Sequence, residues 1–292
     1  MQNHNIDIKE IIEIAIRAGN IAMQFYDRKY TVEQKQDKTP VTEADIAIND
    51  YLIKELSKYN FPILSEEIKD DFEKRKNAEY TWIIDPLDGT ADFIQKTGEF
   101  SIMIGLINKG GESVLGVVYA PALDELYYAQ KNKGAFLMKA SSPLKGRIEE
   151  RLESSQQLHV SNKKIKNKTS LRGAFSDEAI SVSNKKIKGG KILTSRNHLG
   201  EYEQKIAKKY NMKQIPAGSA GLKICWIASG KAELYINSSN KSGLWDICAA
   251  DIILREASGK IIDKNNNKIL YNQREIMLLH GYIVSNRIHK FI

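Results

Sequence analysis

Six β-rich runs crowd between residues 61 and 138: 61–64, 81–84, 100–107, 113–119, 125–129 and 135–138. Two segments of helical spacing precede them. Residues 6–25 place Ile8, Ile11, Ile12, Ala15, Ile16 and Ala22 along one face. Residues 39–56 carry the capping-box-like Thr42-x-x-Asp45 ahead of Ile46, Ile48, Leu52 and Ile53. The "NKGGE" at 108–112 predicts a hairpin loop. Residues 140–158 are polar and without strong periodicity, and form the candidate connection between two halves, 1–140 and 141–292, of one compact unit. Beyond them, strands at 191–195, 213–216 and 232–236 alternate with helices at 198–210, 219–229 and 246–257. Helices and strands in this order bury their apolar faces by stacking in layers, which predicts a layered α/β fold rather than a helix bundle.

Bulk properties narrow the function classes. A chain of 292 residues can bury a large core, and its 42% apolar and 27% charged residues are ordinary for a globular protein. No run approaches the roughly 18 consecutive apolar residues of a membrane span. The start "MQNHNIDIKEIIEIAIRAGNIAM" has no basic segment followed by an apolar block, so a cytoplasmic location is expected, with peripheral attachment to the inner face of a membrane left open. Cys225 and Cys248 stand singly inside helical runs; they suit a reducing compartment as core residues, not a disulfide framework or a zinc site.

The net charge of +8, from 44 basic and 36 acidic residues, is concentrated in "NKKIKNK" (162–168), "NKKIKGGK" (184–191) and "KIAKKY" (205–210). Such an excess makes a solvated surface or steers a small anionic partner. No zinc-finger spacing, RNP-like aromatic pattern or arginine-rich helix accompanies it, so no nucleic-acid partner is expected.

The chemistry concentrates in "WIIDPLDGTADF" (82–93). Trp82-Ile83-Ile84 reads as a buried strand stopping at Asp85. Pro86 holds Asp85 extended and removes one donor, and Gly89 permits a sharp turn. Thr90 then opens a helix whose N–H groups face the same spot. An anion beside two carboxylates needs cations between them, and hard oxygen ligands point to Mg²⁺. A single Asp-Gly is ordinarily a polar turn, but the common acidic-loop alternatives fail here. Position twelve from Asp85 is Lys96, not the Glu of a calcium loop, and Asp85 and Asp88 are separated by two residues, not the one typical of aspartyl-phosphate phosphatases. Glu66 and Glu67 also end an apolar run, in "FPILSEE", and Asp246 opens the helix of "GLWDICAADIILREASGK". An Asp there is ordinarily a cap. Together, three distant segments supply enough oxygens for a pair of metals.

These segments, "LSEE", "WIIDPLDGTADFI" with "GEFSIMIGLI", and "GLWDICAADIILREASG", resemble the three motifs of the inositol monophosphatase-like superfamily of Mg²⁺-dependent, lithium-sensitive phosphatases. The resemblance spans roughly residues 8–285 and implies an αβαβα sandwich of the inositol monophosphatase/fructose-1,6-bisphosphatase type. It implies two or three Mg²⁺ per active site. Glu66, Asp85 and the Leu87 carbonyl would hold the first, and Asp85, Asp88 and Asp246 the second. Thr90, Glu66 and Asp45 would orient an attacking water, and the N–H groups of Gly89 and Thr90 would take up phosphoryl charge. The metal motifs thus fall mainly in the first half, and the "WD" motif and substrate segments in the second.

Within the superfamily the chain is most similar to the 3′(2′),5′-bisphosphate nucleotidases (CysQ-like), hydrolases of sulfur metabolism that convert adenosine 3′,5′-bisphosphate to AMP. "QDKTPVTEAD" (36–45) resembles their N-terminal signature. "LTSRNH" (193–198) makes Ser195 and His198 candidate nucleotide contacts, and "GSAGLKIC" (218–225) would place Gly218, Ser219 and Lys223, with Asp246 nearby, around the substrate and its second phosphate. Inositol monophosphatases carry a glutamate where this chain has Asn237, a loss expected to weaken polyol binding. The expected partner is a small phosphorylated nucleotide, with the protein a monomer or homodimer. Inositol phosphate, fructose 1,6-bisphosphate or NADP phosphatase activity, and a non-catalytic RNA-binding role, are the alternatives.

Overall fold

The N-terminal periodicity forms two helices, α1 (Ile8–Tyr26) and α2 (Glu43–Leu56), in a computed structural model that describes residues 6–28, 32–34, 40–140, 155–158, 190–196 and 200–286. Asp7 caps α1 by accepting from Lys9 N at 3.0 Å. The Thr42/Asp45 pair forms the reciprocal box at α2: Asp45 Oδ2 accepts from Thr42 N at 2.7 Å, and Thr42 Oγ1 from Ala44 N at 3.2 Å. Caps of this kind are worth about 1 kcal/mol each.

The β-rich runs build a seven-stranded sheet in chain order: β3 (Ile63–Ser65), β4 (Tyr80–Asp88), β5 (Ser101–Asn108), β6 (Ser113–Ala120), β7 (Glu125–Gln130), β8 (Ala135–Met138) and β9 (Gln156–Leu158). Only β3 and β4 run parallel; the rest are antiparallel neighbours. Strand β9 lies inside the stretch expected to be a connection. Its three residues are too short for any period, and pairing with β8 creates it. A separate ribbon joins β1 (Val32–Gln34) to β2 (Pro40–Thr42).

The second half forms a five-stranded sheet in the order β11 (Lys213–Ala217), β10 (Lys191–Ser195), β12 (Leu234–Asn237), β14 (Tyr282–Ser285) and β13 (Lys260–Asp263). The parallel trio β11, β10 and β12 is closed by two antiparallel strands. The sequence predicts no strand beyond 257, because "KIID" and "YIVS" are four residues each and carry no turn signature. Two short helices, α3 (Phe72–Arg75) and α4 (Thr90–Ile94), precede the longer α5 (Glu201–Lys209), α6 (Ala220–Ala228) and α7 (Trp245–Glu256).

Three separate cores stack these elements. Trp82, Ile84, Ile102 and Ile104 pack under α1 and α2. Their alternates, Ile83 and Met103, face α6 and α7, with Leu193, Tyr235 and Val284 closing that layer from the second sheet. Ile192, Leu234, Ile236 and Ile283 turn outward to meet Ile206 and Ala207 of α5. The period of two thus sends one strand into two cores, giving five layers, α/β/α/β/α.

The central layer is tight for a specific reason. Gly105 and Gly116 are register partners on β5 and β6. A Cβ at Gly116 would lie 2.1 Å from the Ala249 carbonyl oxygen, and one at Gly105 2.9 Å from Cys248 Sγ. The bare sheet surface lets α7 sit close, which fixes the height at which its first turn presents Asp246. No helix among the described residues is long and apolar enough to cross a membrane.

Candidate active site

Side chains alternate along a strand, so Asp85 and Asp88, three residues apart, would ordinarily face opposite sides of the sheet. The register shifts between them: Asp85 pairs with Met103 and Asp88 with Ser101. Three steps on β4 therefore match two on β5, and this bulge brings both carboxylates to one face. Leu87 instead joins Trp82 and Ile84 in the core beneath α1 and α2. The strand runs to Asp88 instead of stopping at Asp85 as expected, because Pro86 and Leu87 are absorbed in the bulge.

Each carboxylate is held separately. Asp85 Oδ1 accepts from Leu87 N at 3.0 Å. Asp88 Oδ2 accepts from Ser219 Oγ at 2.5 Å and Gly221 N at 2.7 Å, and its Oδ1 from Ala220 N at 3.0 Å. Asp246 Oδ2 accepts from Gly243 N at 2.7 Å. One oxygen from each of Asp85, Asp88 and Asp246 lies within 4.8 Å of the others. Glu66, just past the end of β3, lines the same cavity.

Burial, then the charges of Glu66, Asp88 and Asp246, pushes the Asp85 carboxyl well above the usual carboxylate range. Asp246 is raised well above it by burial, then Asp88 and Glu66. Asp88 is raised by burial, with Ser219, Lys223 and two backbone N–H groups pulling the other way. Asp85 Oδ2 is buried without a hydrogen-bond partner among the described residues. A buried carboxylate oxygen with no donor is costly, and a hard divalent cation among these acids relieves both the orphaned oxygen and the mutual repulsion. The donor set therefore fits a metal.

Beside the acids, Thr90 Oγ1 lies 3.1 Å from both Asp45 Oδ1 and the Leu87 carbonyl oxygen. Burial raises the Asp45 carboxyl, Thr42 pulls it back, and the Glu66 charge adds to the rise. Gly89 makes the turn before Thr90 at φ 94°, and a Cβ there would stand 3.0 Å from the Glu99 carbonyl oxygen, so only glycine fits.

Opposite, Ser195, Gly218, Ser219 and Lys223 line the cavity wall. Much of their hydrogen-bonding capacity is spent inside the protein. Gly218 N donates to Glu99 Oε2 at 2.7 Å, Ser219 and the first N–H groups of α6 hold Asp88, and Lys223 Nζ donates to the carbonyls of Ala217 (3.2 Å) and Gly218 (3.1 Å). Burial pulls the Lys223 ammonium down to about 8, against the upward pull of Asp88, Asp92, Glu99 and Asp246. His198 and residues 36–39 lie outside the described residues.

Sequence reasoning missed several residues that line the cavity or brace its wall. Arg196 pairs with Asp92 at 3.0 Å and with Glu99, bracing the Gly218 turn. Glu203 accepts from Ser238 N and Oγ at 2.9 and 2.8 Å, tethering the loop after β12. Lys241 on that loop lines the cavity; its position five residues before Asp246 was the available signal. Asn237 also lines the cavity as a neutral hub. Its Nδ2 donates to Ser242 Oγ at 2.8 Å, and its Oδ1 accepts from Ser239 N at 2.9 Å.

The chain matches the inositol monophosphatase family over residues 6–291. It is 32% identical over 280 residues to a 3′(2′),5′-bisphosphate nucleotidase CysQ of Haemophilus influenzae, covering 95% of this chain and 91% of the relative. It is 31% identical over 282 residues to CysQ of Salmonella typhimurium, covering 95% and 99%. Among solved structures, that of CysQ from Bacteroides thetaiotaomicron, described as a bacterial member of the inositol monophosphatase family, superposes with a TM-score of 0.72 at 27% identity, covering 95% of this chain and 96% of that one. With the match running nearly end to end and the acidic motifs converging as that fold requires, the chain belongs to the inositol monophosphatase family.

Proposed function

We propose that this chain is a metal-dependent 3′(2′),5′-bisphosphate nucleotidase that hydrolyses the 3′-phosphate of adenosine 3′,5′-bisphosphate to AMP and phosphate. The observation that carries the phosphatase chemistry is the Asp85/Asp88/Asp246 cluster, with Asp85 and Asp88 buried, Asp246 half-buried and one carboxylate oxygen orphaned, facing the cavity that Thr90 also lines. The nucleotide specificity rests on the CysQ relatives.

In this reading Glu66, Asp85, the Leu87 carbonyl, Asp88 and Asp246 hold two or three Mg²⁺. When bound, these ions would lower the pKa of a water and offset charge on the phosphoryl and leaving oxygens. Thr90 keeps its proton and donates it in a hydrogen bond to Asp45 or the Leu87 carbonyl. This leaves a Thr90 lone pair to accept a hydrogen bond from the attacking water, whose departing proton goes to the Glu66 carboxylate. The water attacks phosphorus in line, the bond to the ribose 3′ oxygen breaks, and that oxygen gains a proton from solvent. The N–H groups of Gly89 and Thr90 donate to the phosphoryl oxygens. Ser195, Gly218, Ser219 and Lys223 form the wall against which the nucleotide lies, and His198 is carried over from the family resemblance as a further nucleotide contact.

The halves 1–140 and 141–292 make one catalytic unit, because Glu66, Asp85 and Asp88 come from the first and Asp246 from the second. Asn237 favours the nucleotidase over an inositol phosphatase, since a neutral amide repels a doubly charged ligand less than a glutamate would. The two buried free cysteines suit a cytoplasmic location.

Phosphate release from adenosine 3′,5′-bisphosphate, inositol 1-phosphate, fructose 1,6-bisphosphate and NADP, each with Mg²⁺ and with or without Li⁺, tests the reading. The bisphosphate is expected to be the best substrate, with Li⁺ inhibiting. Faster release from inositol 1-phosphate would replace it with the inositol phosphatase reading.

A further inference from the structure

A nucleoside bisphosphate carries its two phosphates on different carbons of one ribose. When one phosphate sits at the acidic cluster, the other must meet a cation or free N–H groups elsewhere in the same cavity. The start of α6 looks suited by sequence, but its donors are turned inward. The N–H groups of Ala220 and Gly221 and the Ser219 hydroxyl hold Asp88. Gly218 N is on Glu99. Lys223 is 3% exposed and directs two of its three N–H bonds to backbone carbonyls. Arg196 is engaged by Asp92 and Glu99.

One other cation lines the cavity among the described residues, Lys241. It is exposed, and no carboxylate among the described residues forms an ion pair with its Nζ. Its loop is built to hold position. Glu203 fastens Ser238, Asn237 fastens Ser239 and Ser242, and Gly243 N is tied to Asp246. A lysine on a tethered loop that ends at a cavity acid stands at the cavity wall, with no ion-pair partner among the described residues.

We propose that Lys241 recognises the second phosphate, the one that is not hydrolysed. This assignment rests on the nucleotidase reading and names the residue that selects the bisphosphate over a monophosphate. Lys223 is then a positioning residue for the 217–219 turn, and Lys241 supplies the charge that the ligand meets. An ammonium–phosphate contact on an open wall is worth roughly tenfold in affinity.

The test compares steady-state kinetics on adenosine 3′,5′-bisphosphate and adenosine 3′-monophosphate for the wild type, Lys241→Gln and Lys241→Arg. Lys241→Gln is expected to raise KM for the bisphosphate about tenfold with kcat within about twofold. KM for the monophosphate should change less than about twofold, and Lys241→Arg should restore most of the difference. Inhibition by AMP, which keeps the 5′-phosphate, should weaken in parallel with the bisphosphate KM. A wild-type preference for the bisphosphate that survives intact in Lys241→Gln overturns the Lys241 assignment alone. A wild type with no such preference removes the nucleotidase reading, and the second-phosphate role goes with it.

Discussion

Asp88 and Ser219, 131 residues apart in the chain, share a 2.5 Å hydrogen bond, and the same Ser219 hydroxyl oxygen caps α6 by accepting from Leu222 N at 2.9 Å. One side chain thus fixes a helix start from the second half against an acid at the end of β4. Ser219→Ala removes both bonds and is expected to cost about 1–2 kcal/mol of stability. Because Asp88 also loses an orienting donor, the Mg²⁺ concentration for half-maximal activity should rise. Urea unfolding and a Mg²⁺ titration measure the two effects; an unchanged Mg²⁺ requirement would make Ser219 a helix cap only.

Asp85→Asn keeps the shape of the side chain and removes a buried charge that faces three other acids. The metal-free variant should be at least as stable as the metal-free wild type, while its Mg²⁺-induced rise in Tm and its phosphatase activity are lost. Thermal melts with Mg²⁺ and with EDTA check this. Substantial residual turnover would remove Asp85 from the metal set.

Gly116→Ala puts a methyl 2.1 Å from the Ala249 carbonyl oxygen, with the Ile252 side chain 2.6 Å away. Helix and sheet are both backbone-rigid there, so the helix must lift. A loss of about 1–3 kcal/mol is expected, with reduced activity because Asp246 rides on the same helix. Denaturant unfolding alongside kcat/KM distinguishes a displaced helix, which lowers both, from local accommodation, which lowers neither.

Glu112 sits between Lys268 and Lys131, which hold its carboxyl down at about 2. A carboxyl depressed on folding stabilises fully above its ordinary value near 4.5 and loses that contribution as pH falls toward 2. Its side chain is one-third exposed, so screening keeps the effect at or below about 1 kcal/mol. Glu112→Gln should therefore lower stability slightly at pH 7, make no difference near pH 2, and matter less at high salt. Urea unfolding across this range at two salt concentrations tests it; equal destabilisation at both ends would mean the ion pairs are not its source.

Much of this was readable from local pattern. The helical spacing at 6–25 became α1, Thr42-x-x-Asp45 became a working capping box, and the hairpin at 108–112 joins β5 to β6. Both cysteines are buried, as their single placement in apolar helices implied. Strands β9, β13 and β14 were not readable, because three or four residues hold no period and owe their existence to a neighbouring strand. Nor could sequence reveal that the donors at the α6 start point at Asp88, since "GSAG" looks the same whether it faces a ligand or a carboxylate.

The sequence by itself determined which residue types end the apolar elements, and so the chemistry: acids for a cation, a threonine after a glycine turn, and strands and helices that must stack in layers. Their meeting was decided only by the tertiary structure. A one-residue bulge turned Asp85 and Asp88 to a common face, two facing glycines let α7 bring Asp246 down to them, and the loop after β12 carried Lys241 to the cavity wall. Register and approach distance depend on partners far away in the chain, which a local pattern of residues does not encode.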